Sequence, residues 1–372
     1  MSMEDIKTLA EEIQNQYVKK WKDEGGRVLG FSCVATPVEI IEAAGILPYR
    51  IKAIGSQEKE LADAYMSRFN CAFCRSCLQL GLDGTYDFLD GLIETNGCDH
   101  LRGMFENWEL AKKPSFFHYL RVPHFVRGDS LAAYEEELGL LGGAIAEHFA
   151  VTIDDRALDQ AIAAQQEIKG MLRTMYEMRE RGEPAVTGTE ALAVVALSSS
   201  MPAEAFKALL EEFLKERSEA KVGGFRARLM LGGAATDELY FVEEIESLGG
   251  MVVADTLCYG SRALWRLPDS GGGPLHRLAE GYLRNLTCPR MFKHYEQRRD
   301  FVLETAKRAE VDGAVLVHNK FCDLHAVDNV ALHEDLESEG VPVLLLEKDY
   351  GARADMGRIK TRIQAFLERI GR

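Results

Sequence analysis

The chain has no long hydrophobic run and no excess of basic residues, and both absences exclude classes of protein. Nowhere do about 18 apolar residues follow one another, as a membrane-spanning helix requires. The first residues are acidic and polar, so we expect no signal peptide and a cytoplasmic location. The net charge is −15, which argues against a nucleic-acid binder because phosphate neutralisation needs a basic face.

Two nucleotide and metal motifs are also missing. The sequence contains no G-x-x-x-x-G-K-S/T loop, the segment that cradles ATP phosphates in many ATPases. It also lacks the second closely spaced cysteine pair that a zinc site needs. No low-complexity linker interrupts the 372 residues, and a chain of this length is expected to form two domains.

Cysteine is the residue type that stands out. The hydrophobic content of 47% and the charged content of 28% are those of a soluble globular protein. Clustered cysteines in a reducing cytoplasm are more often metal-binding or catalytic than disulfide-bonded. A lone cysteine behaves as a small buried hydrophobe, which suits Cys33 but not the cluster at 71–77. The eight cysteines are at positions 33, 71, 74, 77, 98, 258, 288 and 322.

Strand and helix signals alternate in both halves of the chain. A strand, a helix and a second strand occupy residues 26–35, 37–44 and 46–51, and the same order recurs at 228–233, 237–247 and 251–255. Each half then adds a strand and a helix, at 88–95 and 99–112 and at 311–317 and 326–339. This alternation predicts the α/β class, with two domains of similar design and parallel sheets covered by helices on both faces.

The domain boundaries follow from this pattern. Residues 1–130 are predicted to form one N-terminal helix, over 3–24, and the first α/β domain with Cys71 and Cys98. Residues 131–222 are predicted to be a helical connecting segment, and residues 223–372 the second α/β domain with Cys258, Cys288 and Cys322. Within the first domain, Thr36 is a candidate N-cap, with Glu39 as its capping-box partner.

Cys98 and Cys322 each follow a predicted strand and precede an aspartate. In open α/β sheets, ligands bind in the crevice at the carboxyl ends of the strands. Each cysteine also lies near a helix N-terminus, whose dipole stabilises the thiolate that binds metal. Two domains that face each other across a cleft would present both thiols to one shared ligand.

The segment Cys71-Ala-Phe-Cys-Arg-Ser-Cys77 adds a third source of thiols. Its spacing is that of the start of a bacterial ferredoxin run, although the fourth cysteine and its proline are missing. Together with Cys98 and Cys322 it favours iron–sulfur binding, while the alternative is one buried face of a helix. Cys258 and Cys288 fit either a ligand or an ordinary buried thiol equally well.

These residues carry a resemblance that extends over nearly the whole chain. Gly30-Phe-Ser-Cys33, the stretch 37–48, Cys71-Ala-Phe-Cys-Arg-Ser, Cys98-Asp99 and Lys320-Phe-Cys-Asp-Leu-His325 resemble motifs of the 2-hydroxyacyl-CoA dehydratase/benzoyl-CoA reductase family. The resemblance implies two flavodoxin-like domains that hold a [4Fe–4S] cluster between them, with Cys71, Cys98 and Cys322 as its three ligands. The surplus of Cys74, Cys77, Cys258 and Cys288 leaves open the [8Fe–9S] double-cubane cluster of one branch of the family.

The family also implies a chemistry and partners. A separate ATP-hydrolysing iron–sulfur activator supplies electrons of very low potential, and a CoA thioester is reduced at its aromatic ring or dehydrated through a ketyl radical. Benzoyl-CoA reductase activity is expected ahead of dehydratase activity, in a complex with a paralogous subunit. The alternatives are a homodimeric double-cubane reductase of small molecules and a non-catalytic electron-relay subunit. Candidate groups around the cluster are Ser32, Asp99, His100, Lys320, Asp323 and His325, with Ser32, His100 and His325 as candidate catalytic residues.

Overall fold

The computed structural model describes residues 2–56, 58–267, 271–351 and 355–371. Its strands form two four-stranded sheets in which every neighbouring pair is parallel. The predicted α/β class, with one parallel sheet in each half of the chain, is therefore confirmed. No helix in these ranges is both long enough and apolar enough to cross a membrane.

The two sheets have the same strand order. The first contains β1 (Val28–Phe31), β2 (Leu47–Arg50), β3 (Gly91–Thr95) and β4 (Phe117–Leu120), in the order β2-β1-β3-β4. The second contains β5 (Ala227–Gly233), β6 (Gly250–Thr256), β7 (Gly313–Asn319) and β8 (Val343–Lys348), in the order β6-β5-β7-β8. The equivalent order supports the internal duplication predicted from the sequence.

The N-terminal segment forms two helices, so the predicted single helix over 3–24 is wrong. They are α1 (Met3–Glu11) and α2 (Gln16–Asp23). Asn15 starts the second helix, because its side-chain oxygen accepts hydrogen bonds from the backbone N–H groups of Tyr17 and Val18 at 3.0 and 3.1 Å. The interrupted stretch allows Asn15 to donate to the carbonyl of Ser200 at 3.0 Å.

The remaining helices include those predicted near 37–44, 99–112, 237–247 and 326–339, and others, at 60–63, 274–285 and 295–308, that were not predicted. Those of the first half are α3 (Val38–Ala43), α4 (Glu60–Asp63), α5 (Ala72–Leu82) and α6 (Asp99–Lys112). The connecting segment forms α7 (Ser130–Phe149), α8 (Asp155–Glu180), α9 (Gly188–Leu197) and α10 (Ala203–Arg217). The second half contains α11 (Leu239–Ser247), a 3-10 turn (Ser261–Ala263), α12 (Pro274–Asn285), α13 (Tyr295–Arg308), α14 (Asp323–Ser338) and α15 (Met356–Ile370).

The connecting helices are shared between two cores. Residues of α7 pack with the first sheet, in a cluster that also includes Leu278 and Tyr282 of α12. Residues of α8, α9 and α10 pack with α1 and the second sheet. The predicted domains are therefore joined by apolar packing as well as by the chain.

The capping box predicted at Thr36 is wrong. Helix α3 has Pro37 at its N-cap and no side-chain capping bond, and the Thr36 hydroxyl has no hydrogen-bond partner within the described ranges. The carboxylate of Glu39 is buried and accepts from Lys169 Nζ at 3.1 Å and from the Tyr282 hydroxyl at 2.7 Å. Glu39 thus ties α3 to two other helices instead of capping its own.

Candidate metal centre

Cysteines stand beyond the carboxyl ends of strands in both sheets. Cys33 follows β1, Cys98 follows β3, Cys258 follows β6 and Cys322 follows β7. In each sheet the two central strands mark the point at which the strand order reverses, where ligands bind in open α/β folds. Arg50 at the end of β2 donates to the carbonyl of Cys258 after β6 at 2.6 Å, so the carboxyl ends of the two sheets meet, and their junction is called the cleft here.

Three cysteines occupy the N-cap positions of helices that meet at this cleft. Cys71 caps α5, Cys98 caps α6 and Cys322 caps α14. The Cys98 sulfur accepts a hydrogen bond from the Leu101 N–H at 3.4 Å. The Ala72 N–H at the start of α5 donates to the carbonyl of Lys320 at 3.2 Å, which holds two of these helix starts together. Helix N-termini favour the thiolate form of cysteine.

Cys71, Cys98 and Cys322 form one group of thiols together with Cys74, hereafter the outer cysteine group. Hydrogen bonds from Cys322 and then Cys74 hold the pKa of Cys71 well below its ordinary value. A hydrogen bond from Cys74 lowers the pKa of Cys98 in the same way. The structure therefore brings together the three predicted ligands, and it places the second-tier candidate Cys74 between Cys71 and Cys98.

The residue before Cys322 has an unusual backbone conformation. Phe321 has φ 63°, in the left-handed region that a bulky side chain rarely adopts. Its ring packs edge-on against Phe69, with 5.5 Å between the centroids. The two residues precede Cys71 and Cys322 by two positions and one position in the sequence, so the ring contact links the chain segments that lead into α5 and α14.

His100 connects the two domains at this group. Its Nδ1 accepts a hydrogen bond from the Cys71 N–H at 2.8 Å, and its Nε2 lies 3.4 Å from a carboxylate oxygen of Asp323. A separate interaction, the hydrogen bond between the imidazole and the Cys71 side chain, is the main cause that raises the pKa of His100, ahead of the field of Cys98. His100 is thus placed to hold Cys71 and to carry a proton next to it.

The other predicted groups around the site differ in position. His325 is buried on α14, its backbone N–H bonds the Cys322 thiol, and burial, followed by the charge of Arg262, lowers its pKa well below the ordinary value. Ser32 is buried, and its carbonyl accepts from Arg50 Nε at 2.9 Å. The remaining side chains, Asp99, Lys320 and Asp323, are exposed to solvent at the rim of the cleft.

Cys77 is the most deeply buried of the cysteines on α5. It is 0% exposed and packs in the core of the first domain beside Leu78. Burial raises its pKa well above the ordinary value, with the field of Asp237 as the next cause. Cys77 therefore has the surroundings of a structural thiol.

A second set of thiols, hereafter the inner cysteine group, consists of Cys33, Cys258 and Cys288. The three are only partly buried by surface area, yet burial raises the pKa of Cys258 and raises that of Cys288 to about 11. Cys258 and Cys288 are therefore partly accessible thiols whose ionised form is disfavoured by their surroundings. Each of Cys258 and Cys288 also feels the field of Cys33.

Two arginines at the inner cysteine group were missed by the sequence reasoning. Arg50 ends β2, donates to the carbonyl of Cys258 at 2.6 Å and lies 3.7 Å from the centre of the Tyr259 ring. Arg262 follows Cys258 by one turn of chain and acts electrostatically on both Cys258 and Cys288. The rule that ligands bind beyond strand ends was applied to β3 and β7 only. Applied to β2 and β6 as well, it identifies both arginines as candidates.

The chemistry of the donor set fits an iron–sulfur cluster. Among the described residues, no group of three or more histidine, cysteine or carboxylate side chains is arranged to hold a metal ion. A cuboidal cluster spreads its ligands over several iron atoms, and its ligands are thiolates. Thiols from three helix starts on two domains fit this requirement.

The fold and site define an α/β protein with cysteines gathered between two duplicated domains, and comparison with known proteins gives the family. Residues 33–370 match the family of 2-hydroxyglutaryl-CoA dehydratase, D-component. The chain belongs to this family.

Relatives in this family include parts of dehydratases and of a reductase. The chain is 24% identical, over 98% of its length and 97% of the relative's, to the (R)-phenyllactyl-CoA dehydratase beta subunit of Clostridium sporogenes. It is 25% identical, over 92% of both chains, to a benzoyl-CoA reductase subunit of Thauera aromatica. It is 24% identical, over 98% of its length and 99% of the relative's, to the (R)-2-hydroxyglutaryl-CoA dehydratase beta subunit of Acidaminococcus fermentans.

Proposed function

We propose that this chain is the iron–sulfur subunit of a low-potential reductase or dehydratase that acts on a CoA thioester. The observation that carries the proposal is the outer cysteine group, in which thiols at the starts of α5, α6 and α14 meet between the two domains. The names of the relatives support the substrate class, because each refers to a CoA ester. Cys71, Cys98 and Cys322 would hold a [4Fe–4S] cluster.

The chain's own residues bind the cluster and orient its ligands. Helix N-termini and backbone N–H groups stabilise the thiolates of Cys71 and Cys98. His100 fixes the backbone at Cys71, and ligands held by such outer contacts bind metal more tightly. The rings of Phe69 and Phe321, which pack against each other, belong to residues close in sequence to Cys71 and Cys322, and Phe69 lies at the surface.

The bound cluster would supply one-electron reduction at low potential. The sequence has no phosphate-cradling loop of the Walker type, so ATP hydrolysis is assigned to a separate iron–sulfur activator. All three relatives are named as one subunit of a larger enzyme, which supports a complex with a paralogous subunit. Ring reduction of the benzoyl-CoA type is proposed ahead of dehydration, and an electron-relay role beside a catalytic subunit is the alternative within such a complex.

A second candidate is a homodimeric reductase of small molecules with an [8Fe–9S] double-cubane cluster. The observation that favours it is the inner cysteine group, which adds Cys33, Cys258 and Cys288 to the thiols of the outer group. An ordinary four-iron cluster leaves these three thiols without a role.

Iron and sulfide measured on anaerobically purified protein test both candidates. A cuboidal cluster gives about four irons and four sulfides per chain, and a double-cubane cluster gives roughly eight irons. Cys258→Ala separates them further, because it lowers the iron content only where the inner cysteine group binds metal. A wild-type protein that contains neither iron nor sulfide after reconstitution would contradict the proposed function.

A further inference from the structure

Arg262 is a buried cation without a partner. Its side chain belongs to a residue that is 4% exposed, and its Nε, Nη1 and Nη2 atoms have no hydrogen-bond partner among the residues that the structure describes. A guanidinium group carries five N–H donors and stays protonated in proteins. Burying such a charge without an acceptor is strongly unfavourable, so a partner is missing from its surroundings.

The other buried arginines in the described ranges do have partners. Arg179 pairs with Asp255 at 2.8 Å, Arg298 pairs with Asp328, and Arg75 Nε donates to Asp63 at 2.8 Å. Arg50 and Arg290 donate to backbone carbonyls. Arg262 therefore departs from a rule that the rest of the chain follows.

The surroundings of Arg262 indicate where its partner would lie. Its charge is the largest electrostatic influence on Cys288, it also acts on Cys258, and it is the main charged group that acts on His325. It thus lies close enough to Cys258 and Cys288 to act on both thiols, and it is four residues from Cys258 along the chain. Neutral thiols are weak acceptors, whereas metal-bound thiolates and cluster sulfides are anionic and accept strong hydrogen bonds.

The turn that carries Cys258 and Arg262 is held rigidly. One carboxylate oxygen of Asp255 accepts from the N–H groups of Leu257 and Ser261 at 3.2 and 2.9 Å, and the other accepts from Arg179 and Tyr176. The Arg262 N–H donates to the Leu257 carbonyl at 3.2 Å. Because the turn is fixed in this way, Arg262 cannot leave the cysteines without breaking several hydrogen bonds.

We propose that Arg262 is the charge partner of an iron–sulfur centre held by the inner cysteine group and that it raises the reduction potential of this centre. The inference rests on the double-cubane form of the proposed function. Reduction adds negative charge, and a fixed cation that donates hydrogen bonds to the sulfurs stabilises the reduced state. Arg262 acts through the cluster ligands and is therefore a positioning residue.

The test compares Arg262→Met, which removes the charge, with Arg262→Lys, which keeps it. Arg266→Met is the matched control, because it removes the same charge from an exposed position four residues along the same loop, where solvent screens it. Iron per chain is measured first. The midpoint potential follows from a redox titration monitored by electron paramagnetic resonance, and the unfolding temperature of the metal-free proteins shows that each variant folds.

We expect a more negative potential in Arg262→Met and potentials close to wild type in Arg262→Lys and Arg266→Met. Loss of iron in Arg262→Met with retention in Arg262→Lys also supports the charge partner. An iron-loaded Arg262→Met with an unchanged potential would overturn the inference, as would loss of iron from both folded Arg262 variants. If Cys258→Ala contains as much iron as the wild-type protein, this result would instead contradict the double-cubane function on which the inference rests.

Discussion

The position of each outer cysteine at the start of a helix explains why a few residues determine the site. An N-cap side chain accepts a hydrogen bond from a backbone N–H of the first turn, as Cys98 does from Leu101. A sulfur in this position is bound to the chain on one side and faces the cleft on the other. Cys77, two turns into α5, has the same chemistry but points into the core.

Replacement of the outer cysteines is expected to remove the cluster and preserve the fold. Cys98→Ala or Cys322→Ala should lose most of the iron and keep the fold, since both residues are only partly buried and pack at the margin of an apolar cluster. Cys77→Ala is the matched control. Its iron content should equal that of wild type, and its free energy of unfolding should be lower by about 1 kcal/mol. Iron analysis and urea unfolding check both expectations, and wild-type iron content in Cys98→Ala would remove Cys98 from the ligand set.

Glu42 gives the protein a pH dependence that is separate from the cluster. Burial, followed by repulsion from Glu39, raises its pKa to about 8 from the ordinary value of 4.5. Between these two values the folded protein keeps a proton that the unfolded chain releases, so stability falls as the pH rises from about 5 to 8. One such group changes the free energy of unfolding by at most about 1.4 kcal/mol per pH unit. The change here is smaller, because solvent reaches part of the side chain.

Glu42→Gln is therefore expected to flatten this dependence and to stabilise the protein at pH 8. The neutral amide can still accept from Gln165, which bonds Glu42 at 2.7 Å. Urea unfolding of the metal-free protein between pH 5 and 8 measures the slope, with Glu136→Gln at an exposed site of α7 as the control. An unchanged slope in Glu42→Gln would show that Glu42 is ionised in the folded protein.

At the level of residues, the sequence predicted those positions that follow from nearby strand and helix signals. Cys71, Cys98 and Cys322 stand where strand and helix signals meet, so their position could be anticipated. The pairing of Cys74 with Cys98 depends on how α5 is rotated against α6, and nothing in the sequence specifies that rotation. Arg262 was missed although its loop follows a strand, because a single arginine in a loop is usually exposed.

The turn after β6 shows how one element holds functional residues in place. Asp255 accepts backbone hydrogen bonds from both ends of the segment 257–261. A Cβ atom at Gly260 would overlap the Asp255 carboxylate oxygen, which cannot move because Arg179 and Tyr176 hold the carboxylate. The glycine is therefore required by close approach.

Gly260→Ala is expected to destabilise the protein by about 1–3 kcal/mol, the usual cost of overpacking. The displaced turn should also disturb Cys258, which is visible as a faster reaction of thiols in the metal-free protein with an alkylating reagent. Gly143→Ala on α7 is the control, since its Cβ would meet no atom within 4 Å and it should stabilise the helix by up to about 1 kcal/mol. Equal stability of the two variants would contradict the role assigned to the turn.

Strands and helices with a long or repeated sequence pattern were predicted. A short edge strand, and a helix break that depends on a distant side chain, were missed. The first strand–helix–strand unit has a counterpart in the second half, and both were found. Strand β4 (Phe117–Leu120) was missed because it is a four-residue edge strand with little burial. The break between α1 and α2 depends on Asn15, whose bond to Ser200 lies 185 residues along the chain.

Across the whole molecule, polar contacts between the two halves fix the cleft. Asp237 accepts from the Ala53 N–H at 3.0 Å and from the Tyr350 hydroxyl, and the Tyr259 hydroxyl donates to the carbonyl of Ile51 at 2.7 Å. These groups are buried, so their loss would leave unsatisfied polar atoms. A cleft held in this way presents the cysteines in one geometry, and electrons must reach them from outside.

A separate ATP-dependent activator is expected to deliver those electrons. Electrons of low potential need an energy source, and the sequence offers no phosphate-cradling loop of its own. The surface nearest to Cys71 and Cys322 carries Phe69, whose side chain is largely exposed and in contact with Phe321. An exposed aromatic residue next to buried redox groups is a suitable contact for a partner, and the acidic chain favours a basic partner surface.

The experiment supplies a CoA thioester to the chain and its paralogous subunit, with and without activator and ATP. We expect multiple turnovers only when both are present, and a lower rate with Phe69→Ser at unchanged iron content. Phe292→Ser, at another exposed phenylalanine, is the control and should leave the rate unchanged. A chemical donor should reduce wild type and Phe69→Ser equally, because the variant affects docking alone. Sustained turnover without ATP or activator would overturn this mechanism, and ATP hydrolysis by the isolated chain would place the ATPase in this subunit.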